Sequence, residues 1–99
     1  MSGVLEFLPE AVVDVEEATK YYEKQVPGLG FRFRAAVETV CAAISRQPLL
    51  WRERSGGFYR VNFPGFPYYI AYFIRSERII IAAVAHASRH PDHWKQRSL

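Results

Sequence analysis

Ninety-nine residues, 49% hydrophobic, 15% aromatic and 23% charged, have the make-up of a globular chain and exclude a disordered one; one domain is expected over residues 1–99. A lone cysteine, Cys41, excludes an internal disulfide framework or a thiolate zinc cage, and the longest aliphatic run, Ile79–Ala85, falls far short of the roughly 20 residues that cross a bilayer. The net charge is only +3, but residues 1–49 hold five Lys and Arg against seven Asp and Glu, and residues 50–99 hold eight against three.

In chain order, Val4–Leu8 is short and mostly apolar and reads as a first strand. Pro9 presets the angle of a first helical turn, and Glu10 sits near the positive end of that helix dipole. Ala11, Val15, Ala18 and Tyr22 recur at helical spacing until Val26-Pro27-Gly28 ends the helix near Gln25. Asp14, Glu16 and Glu17 are expected on its solvated face. A second helix starts near Leu29–Phe31, carries Phe33, Val37, Val40 and Ile44 on one stripe, and stops at Gln47-Pro48. Cys41 lies beside that stripe, where a buried, inert thiol is expected. Gly28-Leu29-Gly30 lacks the third glycine and the lysine of a phosphate-cradling loop, so it reads as the turn of an antiparallel helical hairpin.

Trp51, Arg52, Glu53 and Arg54 admit two readings. The loop could stack on bases and grip phosphates, or Trp51 could plug the edge of the core while the arginines stay wet. Ser55-Gly56-Gly57 follows as a flexible loop. From Phe58 the period falls from 3.6 to 2, with Tyr59, Val61 and Phe63 on one face and Arg60 and Asn62 on the other. Pro64-Gly65-Phe66-Pro67 is a turn, Tyr68–Arg75 a second strand, Ser76-Glu77 a tight turn, and Arg78–His86 a third strand. This last strand is apolar on both sides and should lie inside the sheet. An α+β domain follows, with the helical hairpin and the N-terminal strand packed on an antiparallel meander and the second sheet face left to solvent or a partner.

Seven of the eight basic residues after position 49 are arginines, suited to bidentate grip on phosphate or carboxylate. That half of the chain reads either as a surface for nucleic acid or an acidic protein, or as a solvated face. His86, His90 and His93 have the spacing of a helical zinc site, but Pro91 biases His90 out of helical geometry. Exposed or partner-binding histidines are expected instead. No metal or cofactor is called for. Nor does the chain open on a basic-then-apolar leader, so a cytoplasmic protein is expected.

The ordered fragments Pro9-Glu10-Ala11, Glu17-Ala18, Tyr21-Tyr22-Glu23, Gly28-Leu29-Gly30, Arg32-Phe33, Pro48 with Trp51-Arg52, Phe66-Pro67-Tyr68 and Ala83-Val84-Ala85-His86, then Arg89, Pro91 and Trp94, are similar to the RelE/ParE superfamily of bacterial type II toxins. This plasmid-stabilisation likeness covers about residues 4–97. It implies a growth-inhibiting toxin held inactive by a cognate antitoxin, with either DNA gyrase or ribosome-bound messenger RNA as target and no membrane. Metal-independent RNA cleavage needs a base, an acid and cations around the phosphorus. Tyr69 stands where RelE-like members carry a strand arginine, Arg89 matches a position beyond the last strand, and Trp94 and Lys95 occupy the neighbourhood of a terminal tyrosine. Under the RelE-like alternative, a ribosome-dependent endoribonuclease, Arg60, His86 and Arg89 are the candidate catalytic residues. Arg52, Arg54, Tyr69, Arg75, His90 and Trp94 are the candidate partner- or target-binding residues. The incomplete catalytic pattern favours a ParE-like gyrase poison, which would not be an enzyme. A non-toxic module acting with its antitoxin in repression is the third reading.

Overall fold

Leu8-Pro9 turns the chain from strand to helix as its chemistry requires. Leu8 is extended and Pro9 opens the first helical turn, between strand β1 (Val4–Phe7) and helix α1 (Pro9–Gln25). The computed structural model describes residues 4–54 and 56–97; Ser55 of the expected loop lies outside them. Helix α2 (Leu29–Arg46) returns antiparallel to α1 and buries Phe33, Val37, Val40 and Ile44, the stripe given by their spacing. The hairpin turn rests on two glycines. Gly28 adopts a left-handed φ of 89°, and at Gly30 a Cβ would lie 2.7 Å from the Thr19 carbonyl oxygen. The Glu23 carboxylate accepts hydrogen bonds from the N–H groups of Gly28 (2.9 Å) and Gly30 (3.0 Å), so a side chain of α1 caps α2.

The sheet runs β1-β5-β4-β3-β2, with β2 (Glu53–Arg54), β3 (Phe58–Asn62), β4 (Tyr68–Arg75) and β5 (Arg78–His86). Strands β3, β4 and β5 form the expected meander, and Ser76 and Glu77, both at positive φ, make the β4–β5 turn. Apolar β5 is interior, flanked by β4 and by β1, which pairs with it in parallel. Two elements lie outside the sequence expectation: β2, which pairs with β3, and a one-turn helix α3 (Asp92–Lys95).

Register decides which side chains face the helices. Ile70 opposes Val61 and Val84, Tyr68 opposes His86, and the rings of Tyr72 and Tyr59 stack 5.0 Å apart. The Tyr72 hydroxyl donates to the Pro48 carbonyl (2.6 Å) and ties the exit of α2 to the sheet. Trp51 packs half-buried on the same core, while Arg52 and Arg54 are exposed. Trp51 thus plugs the edge of the core, and the two arginines stay open to solvent or a partner.

The second face of the sheet is partly covered rather than open. Tyr69, Ala71, Ala83 and Ala85 form a second buried cluster, and the three alanines leave room for the Trp94 indole of α3. Trp94 Nε1–H donates to the Tyr69 hydroxyl (2.8 Å). Asp14 also departs from its expected solvated place. Beyond Leu8, whose N–H still reaches the Ile81 carbonyl, no strand among the described residues continues along the β1 side of β5, and side chains take over that edge. Asp14 accepts from the Val84 N–H (3.0 Å), and Arg97 donates to the Ala82 carbonyl (3.0 Å) and to Asp14 (2.7 Å). The side chains of this ion pair are only 13% and 14% exposed. Among the described residues, no helix is long and apolar enough to cross a membrane.

Candidate functional site

Two grooves lie on either side of the C-terminal segment, one toward α1 and one on the outer sheet face. The first, about 240 Å³, is floored by Ala18, Val84 and Ala85 and walled by Asp14, Glu17 and Tyr21 of α1 and by Tyr68, His86, Arg89 and His93. The Ser88 N–H donates to His86 Nδ1 (3.0 Å), so in the neutral ring the proton sits on Nε2. The same ring meets Tyr68 edge-on, with centroids 5.3 Å apart. His93 Nδ1 is buried without a partner among the described residues. Burial pushes the His93 pKa below its ordinary value, and the charges of Arg89 and Arg97 push the same way, so the ring is neutral near pH 7. Burial raises the Tyr68 hydroxyl, and the nearby Arg89 charge offsets part of that.

The second groove, about 180 Å³, gathers Arg54, Arg60 and Lys95 around Phe58, Tyr59 and Trp94. The Arg60 guanidinium lies 3.9 Å above the Tyr69 ring centroid, and its Nε donates to Asn62 Oδ1 (3.2 Å).

The structure brings His86 and Arg89 together but separates Arg60 from them. Arg60 pairs in register with Ala71 on the outer face, whereas His86 and Tyr68 share the helix-side face. The three residues therefore do not converge on one reacting group. Tyr69 and Trp94, expected to meet a partner, are 0% and 4% exposed and bonded to each other. Arg75 sits at the far end of β4 against Phe73, and Arg52 is exposed in the loop after Trp51. His90 is exposed, with its Nδ1 3.4 Å from Asp92 Oδ2, and is not part of the groove that His86 and His93 line. Among the described residues, no three His, Cys, Asp or Glu side chains stand close enough to hold a metal ion.

Asp14, Tyr21 and Tyr68 line the first groove without being among the expected site residues, and Arg97 reaches it only through its bond to Asp14. For Asp14 the signal was present: with Ala11, Val15 and Ala18 it completes an i, i+3, i+4, i+7 set, so it shares the buried side of α1.

A helical hairpin on one face of a five-stranded sheet, with cationic side chains gathered around the C-terminal segment, is a RelE/ParE-like architecture. The profile of the ParE toxin of type II toxin–antitoxin systems, parDE, matches residues 5–91, and the chain belongs to that family. Among curated proteins the sequence comparison finds no match. Among solved structures, the fold is similar to a chain from the chromosomal ParDE toxin–antitoxin system of P. aeruginosa. The TM-score there is 0.67 at 12% identity, over 86% of this chain and 96% of that one. It is similar also to a chain from the RelBE2 toxin–antitoxin complex of Mycobacterium tuberculosis, with a TM-score of 0.60 at 22% identity, over 87% of this chain and 99% of that one.

Proposed function

We propose that this toxin is held inactive by a cognate antitoxin in the bacterial cytoplasm and, when freed, acts as a ParE-like poison of DNA gyrase. The observation that carries this reading is the dispersal of the groups that RNA cleavage would need. Tyr69 holds the position of a strand arginine and is buried beneath Trp94, and Arg60, the candidate substitute, leaves the opposite sheet face from His86. A poison needs a binding surface rather than a base, an acid and cations around one phosphorus.

Induction of the chain alone is expected to arrest bacterial growth, and co-expression of the neighbouring short reading frame to restore it. The purified toxin should then inhibit gyrase supercoiling or trap its cleaved complex. Codon-linked cuts in messenger RNA, mapped by primer extension, would instead establish the RelE-like enzyme. The feature favouring that second reading is the placement of His86, a possible proton carrier, beside Arg89, a possible charge stabiliser. Under it, Arg89→Ala abolishes cutting. Absence of arrest at soluble expression levels would leave the non-toxic repression module.

A further inference from the structure

Among the described residues, the stretch from His90 to Arg97 hydrogen-bonds to the rest of the chain through side chains alone. The last backbone ties before it are the Ala87 N–H to the Pro67 carbonyl (2.8 Å) and the Arg89 N–H to the His86 carbonyl (2.9 Å). Beyond them, the N–H groups of His93, Trp94, Lys95 and Arg97 all donate to carbonyls inside the segment. Two anchors hold it down. The Trp94 indole packs with Ala71, Ala83 and Ala85 and donates to the Tyr69 hydroxyl, and Arg97 donates to Asp14 and to the Ala82 carbonyl. A segment so attached can leave as a unit while the sheet stays paired.

Beside these anchors His93 Nδ1 is buried with no hydrogen-bond partner among the described residues. A neutral ring tolerates this as a bare acceptor, with its proton on Nε2. Protonation adds an N–H at Nδ1 that meets no acceptor, and a charge opposed by Arg89 and Arg97. Against them stand two carboxylates of α1. Asp14 is already bonded to the Val84 N–H and Arg97, and Glu17 is exposed in the groove wall. Tyr21 of α1, Tyr68 of β4 and His86 of β5 complete the titratable groups that face the groove, and they supply no carboxylate.

We propose that His93 is an acid-sensitive latch, whose protonation frees residues 90–97 from the sheet and bares Tyr69 and its alanines beside Arg60. Opening takes Pro91, Trp94 and Lys95 out of the wall of the outer groove, so the surface presented there changes with acidity. The direction follows from linkage. Released, the ring titrates near its ordinary value of 6.5; held, burial and the two arginine charges keep it lower. Above the released value both forms are neutral and closure is at full strength. Below it the open form takes up the proton first, and the open-to-closed ratio rises by up to about tenfold per pH unit until the held ring protonates too. The latch does not depend on which target the toxin acts on.

The test is nuclear magnetic resonance on the full-length, isotope-labelled chain, in a pH series taken downward from neutrality. The Trp94 indole N–H signal should move toward that of a free indole, and the amides of residues 93–97 should lose exchange protection, with the midpoint of the His93 ring titration. Trp51 and the β4–β5 amides should stay unchanged. His93→Gln takes up no proton and should hold the segment closed throughout the series, whereas His86→Gln should keep the transition. Loss of β4–β5 protection in step would make the event global unfolding, and a transition that survives in His93→Gln would belong to another group. A segment that tightens in acid would show Glu17 pairing with the imidazolium. Each of these three results overturns the latch. Should His93→Gln itself loosen the segment, the unmodified chain decides: separate midpoints for the His93 ring and the Trp94 indole overturn the proposal, and a shared one supports it.

Discussion

At Gly30 the crossing of α1 and α2 leaves no room for a side chain. Alanine is the better helix former by about 1 kcal/mol, but its Cβ would meet a backbone oxygen, which cannot swing aside as a side chain can. The helices would have to part, and the Glu23 cap on α2 would stretch with them. We therefore expect Gly30→Ala to lose about 1–3 kcal/mol, read from the urea midpoint; a more stable variant would refute the close-approach argument. His93 makes a prediction in pH. Its native pKa lies below the unfolded value of 6.5, so between those two values the unfolded chain binds more protons. Stability should be fully present above the unfolded pKa and fall as the solution is acidified below it. His93→Gln should flatten that slope in a series of denaturation curves. Cys41 is a third case: burial pushes its thiol up to about 11, and Glu38 adds to the shift. A disulfide reagent at neutral pH should label it slowly in the native protein and rapidly in urea.

Among the elements, α3 is held by a tertiary contact rather than by its own backbone hydrogen bonds. Four residues close a single turn, too little for a helix to stand by itself, so the Trp94 indole on the second cluster must hold it. Trp94→Ala should cost about 3–5 kcal/mol in denaturant unfolding and expose the amides of residues 91–97 to hydrogen exchange. Tyr69→Phe removes only the hydroxyl acceptor and should cost about 1 kcal/mol. Neither α3 nor β2 announces itself in the sequence, because a single turn and a two-residue strand are too short to show a period. The longer elements do. Pro9, Val26-Pro27 and Gln47-Pro48 bracket two helices whose apolar stripes proved to be the buried ones, and Ser76-Glu77 marks its turn.

Across the whole molecule, the Asp14–Arg97 pair binds α1, the open edge of β5 and the C-terminal segment into one body. Each partner bonds to β5 backbone as well as to the other, so single replacements strand buried groups that a double replacement does not. A double-mutant cycle on Asp14→Asn and Arg97→Gln should return a coupling of about 1–3 kcal/mol, and additive effects would show that the two residues act separately.

What the sequence by itself determined is whatever depends on near neighbours: two amphipathic helices and their turn, the meander, the doubly apolar inner strand, and the ordered fragments that resemble the toxin superfamily. Only the tertiary structure decided that Asp14 is committed to the Val84 N–H and Arg97, that Trp94 closes the outer face, and that Arg60 and Arg89 belong to different grooves. The reason is physical. Alternation along a strand sorts side chains onto two faces but does not say what lies over each face. That depends on register and packing between residues far apart in the chain, such as Arg60 opposite Ala71, or Arg97 folded back onto Asp14.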